Sequence, residues 1–354
     1  MKQFSIKILV FLLPFICAIV FAGFSYQKSG GDLNKIGKIS YDKNYRLTFR
    51  DAFNQEKKFT DFSRAISDTI TKFDILTIGD SFSGQQQYGY QNYLALNHDL
   101  NVLNFNFNSF YKVRNYNPVH FLSELINGDI LSNYNIDYII IEVIERRFID
   151  FVLEVNFDSS ISLEEIKLIK RVYPKTEETF LKKTNNFLID TKKYYKYKLG
   201  YLFSPKPFDS DVYKMNLVEN MFRVNLDEIT FYYQDISSLN RITKRNIFLL
   251  NQVLNNFKRK LEKDNIKLIV MPCVDKYDLY APYIKDNPFP ENSFFNFLRK
   301  EEKDYLFIDT KKVLEPYVNN GVKDVFFADD THWSPIASEI IANEIFRVIK
   351  NDKK

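Results

Sequence analysis

Phe73-Asp74-Ile75-Leu76-Thr77-Ile78-Gly79-Asp80-Ser81-Phe82 is the stretch on which the architecture turns. The run at 73–78 has the length and the Ile, Leu and Thr content of a buried strand, and the small polar turn that follows ends it. A helical pattern at 85–97 and a second strand at 101–107 complete a strand–helix–strand unit. A helix over 119–127 follows, then Asp137-Tyr138-Ile139-Ile140-Ile141-Glu142-Val143-Ile144. The centre of that run is too uniformly apolar for a sheet with one wet face, so it reads as a parallel strand covered on both sides.

Downstream, Leu239, Ile242, Ile247, Leu250, Val253, Leu254, Phe257 and Leu261 form the stripe of a long amphipathic helix. Strands are expected at 266–272 and 305–309, with a helix at 294–300 between them. A last helix opens at Pro335 and carries Ile336, Ile340, Ile341, Ile345 and Val348 on one side to about residue 349. The expected fold is α/β, a three-layer α/β/α arrangement on a mostly parallel sheet. Between about 150 and 235 the pattern weakens, with mixed charge and Pro174, Pro205 and Pro207 as punctuation. That stretch is expected to be an insertion, serving as a lid, a sugar-binding or docking surface, or a structural excursion.

At the other end, Lys2 and Lys7 flank a nearly unbroken apolar run over 8–24, which has the length of a signal peptide or a short membrane anchor. Val20-Phe21-Ala22 offers a cleavage site, but the run is long for a cleaved segment, so an uncleaved anchor with an exported body is the expectation. Residues 25–62 lack sustained periodicity and read as a tether or irregular layer that contributes nothing to catalysis. The domain would then occupy 63–350.

Composition narrows the function classes. With 45% apolar and 27% charged residues the chain is a folded protein. A net charge of +4 with no basic block gives nucleic acid binding no support. The 34 Phe and 23 Tyr are explained as well by a biased genome as by sugar-binding faces. Cys17 and Cys273 are the only cysteines, and the first lies in the apolar run, so no disulfide framework is expected. No metal-ligand spacing and no phosphate-binding loop is visible, so neither a metal nor another cofactor is expected.

Chemistry concentrates in two places. A serine at a strand end, followed by a helix, points its hydroxyl outward and turns its own N–H toward a developing oxyanion; taken alone, Gly79-Asp80-Ser81 reads more readily as a helix cap. The second place is Asp329-Asp330-Thr331-His332-Trp333-Ser334. There an imidazole has two carboxylates that could orient it, while Trp333 could pack the loop on the core and Ser334 could cap the last helix. Together these make a Ser/His/Asp acyl-transfer site. His98 and His120 lack such a setting.

The pair of motifs resembles the SGNH/GDSL hydrolase superfamily, and more closely its alginate O-acetylation branch of AlgX- and AlgJ-like proteins. Gly79-Asp80-Ser81-Phe82 and Asp330-Thr331-His332-Trp333 carry the likeness. Glu142-Val143-Ile144-Glu145-Arg146, and Met271-Pro272 with Lys276 and Tyr280, add to it. The resemblance implies Ser81 as nucleophile, His332 as base and Asp330 as its orienter; the wider superfamily's spacing would choose Asp329. Here Ser precedes His, as in that wider superfamily and unlike the alginate branch. Its oxyanion glycine and asparagine have no clear counterparts, and Asn106 is the candidate donor. Arg146 is either a substrate contact or an ion-pair partner of Glu142 or Glu145, and Trp333 is a further substrate-binding candidate. The implied function is extracytoplasmic O-acyl transfer, of acetyl groups to an exported polysaccharide, with a multispanning membrane O-acyltransferase as donor partner. A carbohydrate acetyl esterase and a non-catalytic scaffold of a polysaccharide modification complex are the alternatives.

Overall fold

The structure, a computed structural model, describes residues 2–62, 72–105, 116–166 and 187–354. Asn106, the end of the strand expected at 101–107, and residues 167–186 of the expected insertion lie outside these.

Six strands form one sheet, all parallel, in the order β1 (Thr60–Asp61), β3 (Val102–Asn104), β2 (Lys72–Gly79), β4 (Asn135–Ile144), β7 (Lys267–Cys273) and β8 (Leu306–Phe307). Ile75, Leu76, Ile139, Ile140, Ile141, Ile269 and Val270 are fully buried. Helices on both faces explain this: α4 (Tyr90–His98), α12 (Thr310–Asn319) and α13 (Pro335–Asp352) pack together on one side, and α5 (Pro118–Asn127), α6 (Glu145–Leu153), α9 (Lys244–Leu261) and α11 (Phe294–Leu298) on the other. The expected three-layer α/β fold is the one observed. Because β2 pairs with β3 on one side and β4 on the other, the chain reverses its winding at β2. The carboxyl ends of β2 and β4 therefore flank a topological switch point, where open α/β sheets hold their ligands.

Element edges follow local chemistry. Gly89 begins α4 later than the periodicity predicts, after a 3₁₀ turn at Gln86–Tyr88 in which Gln86 takes a positive φ of 54°. Thr243 caps α9 by accepting a hydrogen bond from the Asn246 N–H, so the stripe beginning at Leu239 opens as a 3₁₀ turn at Leu239–Arg241 and is α-helical from Lys244. Within 150–235 lie α7 (Phe187–Phe203), the antiparallel pair β5 (Val212–Asn216) and β6 (Glu228–Tyr232), and α8 (Gln234–Ser237) starting beside it.

Residues 25–62 depart from the tether reading. They hold α2 (Asp32–Gly37) and α3 (Tyr45–Asp51), and Leu33, Tyr41, Tyr45, Phe49, Phe59 and Phe62 are buried in the main core. Before them, α1 (Lys2–Ser25) contains the 23-residue stretch Gln3–Ser25, in which an 18-residue window has a mean hydropathy of 2.7 and hardly any cover from the described residues. At 1.5 Å per residue it is about 34 Å long, enough for a hydrocarbon core of about 30 Å.

Candidate active site

The Ser81 turn is built from buried acids. Asp80 directly follows β2; one of its carboxylate oxygens accepts from the Phe82 N–H at 3.1 Å and the other from the Ile144 N–H at 2.8 Å. The capping residue is thus Asp80, which ties the 3₁₀ turn Ser81–Gly84 to the end of β4 and leaves Ser81 half-exposed. Gly79 is needed for space rather than for an unusual φ. It is level with Glu142 across the sheet, and a Cβ there would lie 2.2 Å from both the Glu142 carboxyl and the Ser83 hydroxyl. Glu142 accepts from Ser83 Oγ at 2.7 Å and from Cys273 Sγ at 3.3 Å. Burial, followed by the nearby Asp80 charge, holds its carboxyl well above the usual range beneath the turn.

Across the switch point, the loop between α12 and α13 closes on itself. Phe326 bridges Trp333 in antiparallel fashion, the Phe327 N–H donates to the His332 carbonyl at 3.2 Å, and the Ser334 N–H donates to Val325 at 3.0 Å. Ser334 also caps α13, accepting from the Ile336 N–H. This loop presents the His332 ring toward β2. His332 Nε2 lies 2.7 Å from Ser81 Oγ, and Nδ1 lies 2.5 Å from Asp330 Oδ1, which also accepts from the His332 N–H at 3.1 Å. Ser81, His332 and Asp330, 251 residues apart at their extremes, form one continuous hydrogen-bonded line.

Asp329 faces elsewhere. Its carboxylate accepts from the Ser29 hydroxyl and from the Gly31 N–H at 3.1 Å, and its carbonyl accepts from the Leu33 N–H at 3.1 Å. A Cβ on Gly31 would collide with that carbonyl at 2.0 Å. Asp32 joins the same clamp, accepting from the Thr331 N–H at 2.9 Å and from Thr331 Oγ1 at 2.6 Å, while its own N–H donates to Asp330 Oδ2 at 3.2 Å. Arg46 completes it with an ion pair to Asp330 Oδ2. Behind the loop, the fully buried Lys276 donates to the carbonyls of Phe327 at 2.8 Å, Ala328 at 2.7 Å and Asp330 at 3.3 Å. Burial brings its ammonium down to about 8, with the Asp329 and Asp330 charges opposing.

The charges converge on Asp330. Burial alone would raise its carboxyl, but Arg46 and the His332 ring hold it well below the usual carboxylate range. His332 is the mirror case. Burial opposes its charged form, yet the Asp330 charge and hydrogen bond, with Asp32 behind them, outweigh burial and raise it above 6.5. Asp32, Asp330 and His332 also bring metal-ligand-type atoms within 4.8 Å of one another. Asp32 already accepts from Thr331, and Asp330 is paired with Arg46 and His332.

The remaining predicted residues fall as follows. Trp333 is fully buried, edge-on to Phe82 with ring centroids 4.9 Å apart, so it supports the site from beneath and is out of reach of a substrate. Arg146 pairs with neither Glu142 nor Glu145 but with the buried Asp235, at 2.8 Å, and its guanidinium lies 5.5 Å from the Tyr232 ring centroid. Glu145 instead accepts from the Asp275 N–H at 2.7 Å and from Asn292 at 3.0 Å. Asn104 supports the turn, donating to the Ser83 carbonyl at 3.2 Å. His98 stacks on Phe346, and His120 accepts from the Asn156 N–H. Ser29, Gly31, Asp32 and Arg46 went unnoticed in the sequence. The adjacent glycines Gly30 and Gly31, in a chain with only 10, were the available hint of a close backbone approach.

Residues 231–354 match the family model described as SGNH hydrolase-like domain, acetyltransferase AlgX, the branch that the two motifs resemble. The matched part contains Lys276, Asp330, His332 and Trp333, and the Ser81 turn lies upstream of it. Comparison with curated proteins and with solved structures finds no match to either. An acetyltransferase or hydrolase type of activity is what the matched domain supports.

Proposed function

We propose, from the AlgX-type domain of residues 231–354, that the protein is an extracytoplasmic O-acyltransferase that moves acetyl groups onto polysaccharide hydroxyls through an acyl-Ser81 intermediate. The observation that carries this reading is the line from Ser81 Oγ through His332 to Asp330, at 2.7 and 2.5 Å. His332 Nε2 takes the Ser81 proton as Oγ attacks the acyl carbon, then returns it to the departing donor group. A sugar hydroxyl next gives its proton to His332 and attacks the acyl-serine; Ser81 Oγ leaves and recovers that proton. Asp330 holds the ring in place and balances the imidazolium formed in each half-reaction. Arg146, with Asp32 and Asp80 within its electrostatic reach, would contact the acceptor in this reading. The apolar length of α1, behind Lys2 and Lys7, supports anchorage with the body outside the membrane. A membrane-bound O-acyltransferase would be the donor partner.

The test is to feed the full-length protein an activated acetyl ester with and without polysaccharide acceptors. Acetylated glycan is expected. Release of acetate alone, whatever the acceptor, would make it an esterase, and no turnover at all would leave the scaffold reading standing.

Arg46 provides a check through pH. The reaction needs His332 neutral, and its raised pKa places the acid limb of kcat/KM above 6.5. The Arg46 charge pulls that pKa down, so Arg46→Gln should move the limb to higher pH, with loss of activity greatest on the acid side. A limb that stays put or moves to lower pH would contradict the assigned coupling.

A further inference from the structure

The α7 helix ends in an apolar surface left uncovered among the described residues: Leu199, Leu202 and Phe203 are exposed, as is Phe208 just beyond. Lys192, Lys193, Lys196 and Lys198 are exposed on the preceding turns of the same helix. Where this helix sits is the informative point. Tyr195 donates to the Ala18 carbonyl of α1 at 2.6 Å, and Lys198, one turn later, lies 5.8 Å from the Phe21 ring centroid. The α7 helix therefore crosses α1 within its last two turns, about 6–10 Å along the axis from Ser25. Interfacial amphipathic helices sit about 5–10 Å into the boundary between headgroups and acyl chains.

We infer that α7 and the Phe208 turn form a second membrane contact, lying in the outer-leaflet interface beside α1, with Leu199, Leu202, Phe203 and Phe208 among the acyl chains and the lysines at the level of anionic headgroups. The inference rests on reading α1 as an anchor and deepens the proposed function. The Asp190 carboxylate of α7 binds Lys28 at 2.6 Å and Lys38 at 2.9 Å, and Ser29, next to Lys28, binds Asp329. Ser29 is also only four residues past the end of α1, a reach of at most about 14 Å. A helix fixed in the bilayer surface would hold the His332 loop close above it, where a membrane-borne acyl donor is presented.

The test uses tryptophan quenching by brominated lipid. The native Trp333 is fully buried and supplies a constant background. The full chain carrying Phe203→Trp, or separately Phe208→Trp, is reconstituted into phosphatidylcholine/phosphatidylglycerol vesicles whose lipids are brominated near the headgroup. Both variants should lose fluorescence, whereas Phe248→Trp, exposed on α9, should not. Val10→Trp tests the anchor by itself, through quenching by lipids brominated deep in the chains. Unquenched tryptophans at 203 and 208 overturn the second contact and leave the face to a protein partner, whatever the Val10 variant does. If they are quenched while Val10→Trp is not, the spanning anchor fails, and a contact placed beside it in the outer leaflet is overturned with it.

Discussion

Ser81→Ala is expected to fold as the parent does and to turn over activated acetyl esters at least about 10⁴-fold more slowly. The hydroxyl is half-exposed and lies within hydrogen-bond distance of His332, so its removal costs about 1 kcal/mol of stability or less. On the proposed mechanism, what disappears is the atom that takes the acyl group. Any residual rate would come from the remaining groups acting on water, and it should not respond to added polysaccharide. Ser83 cannot take over. It is fully buried and its hydroxyl donates to Glu142, so an acyl donor reaches neither its oxygen nor a base beside it. Steady-state kinetics paired with a thermal melt check both halves of the expectation, and unchanged turnover in a folded variant would remove Ser81 from the reaction.

Asp330→Asn should have the second-largest effect, a loss of about 10³–10⁴-fold in kcat. An amide can keep one contact to His332 but offers no charge to stabilise the imidazolium. Because Asp330 is what raises the His332 pKa, the acid limb of whatever activity remains should move to lower pH. There is also a folding cost. Arg46, with a side chain only 13% exposed, would lose the carboxylate that neutralises it, and stranding a buried charge costs about 3 kcal/mol. Catalysis and stability separate in the double variant Arg46→Gln with Asp330→Asn, which should recover most of the melting temperature and none of the rate. Asp329→Asn is the control: an amide oxygen can still accept from Ser29 and Gly31, so its rate should stay within about tenfold of the parent. Equal losses for Asp329→Asn and Asp330→Asn would refute the choice of Asp330.

Much of this was legible in the residues because it rests on local pattern. Apolar runs of strand length, a small polar turn after the first of them, and a histidine two residues after an aspartate all leave marks in a short window. The structure then puts Ser81, His332 and Asp330 in hydrogen-bonded line. What escaped was decided by contacts between distant segments. Arg46 reaches Asp330 across 284 positions and Arg146 reaches Asp235 across 89. No periodicity encodes either pairing, so Arg146 was matched to acids near it in sequence. Residues 25–62 looked like a tether or an irregular layer because their two helices, Asp32–Gly37 and Tyr45–Asp51, are too short to show a stripe. Their side chains are spent on the His332 loop instead. Trp333, next to His332, invited a substrate role, and only its packing against Phe82 of the distant Ser81 turn makes it a support.

The most direct test is to quench the wild-type protein early in its reaction with an acetyl donor, in the absence of acceptor, and map the modified peptide by mass spectrometry. One acetyl group on Ser81, discharged when acceptor is added and slow to form in Asp330→Asn, is the predicted result. An unmodified Ser81 peptide during active turnover, or an acetyl group that accumulates on a different side chain and discharges to the acceptor, would contradict it.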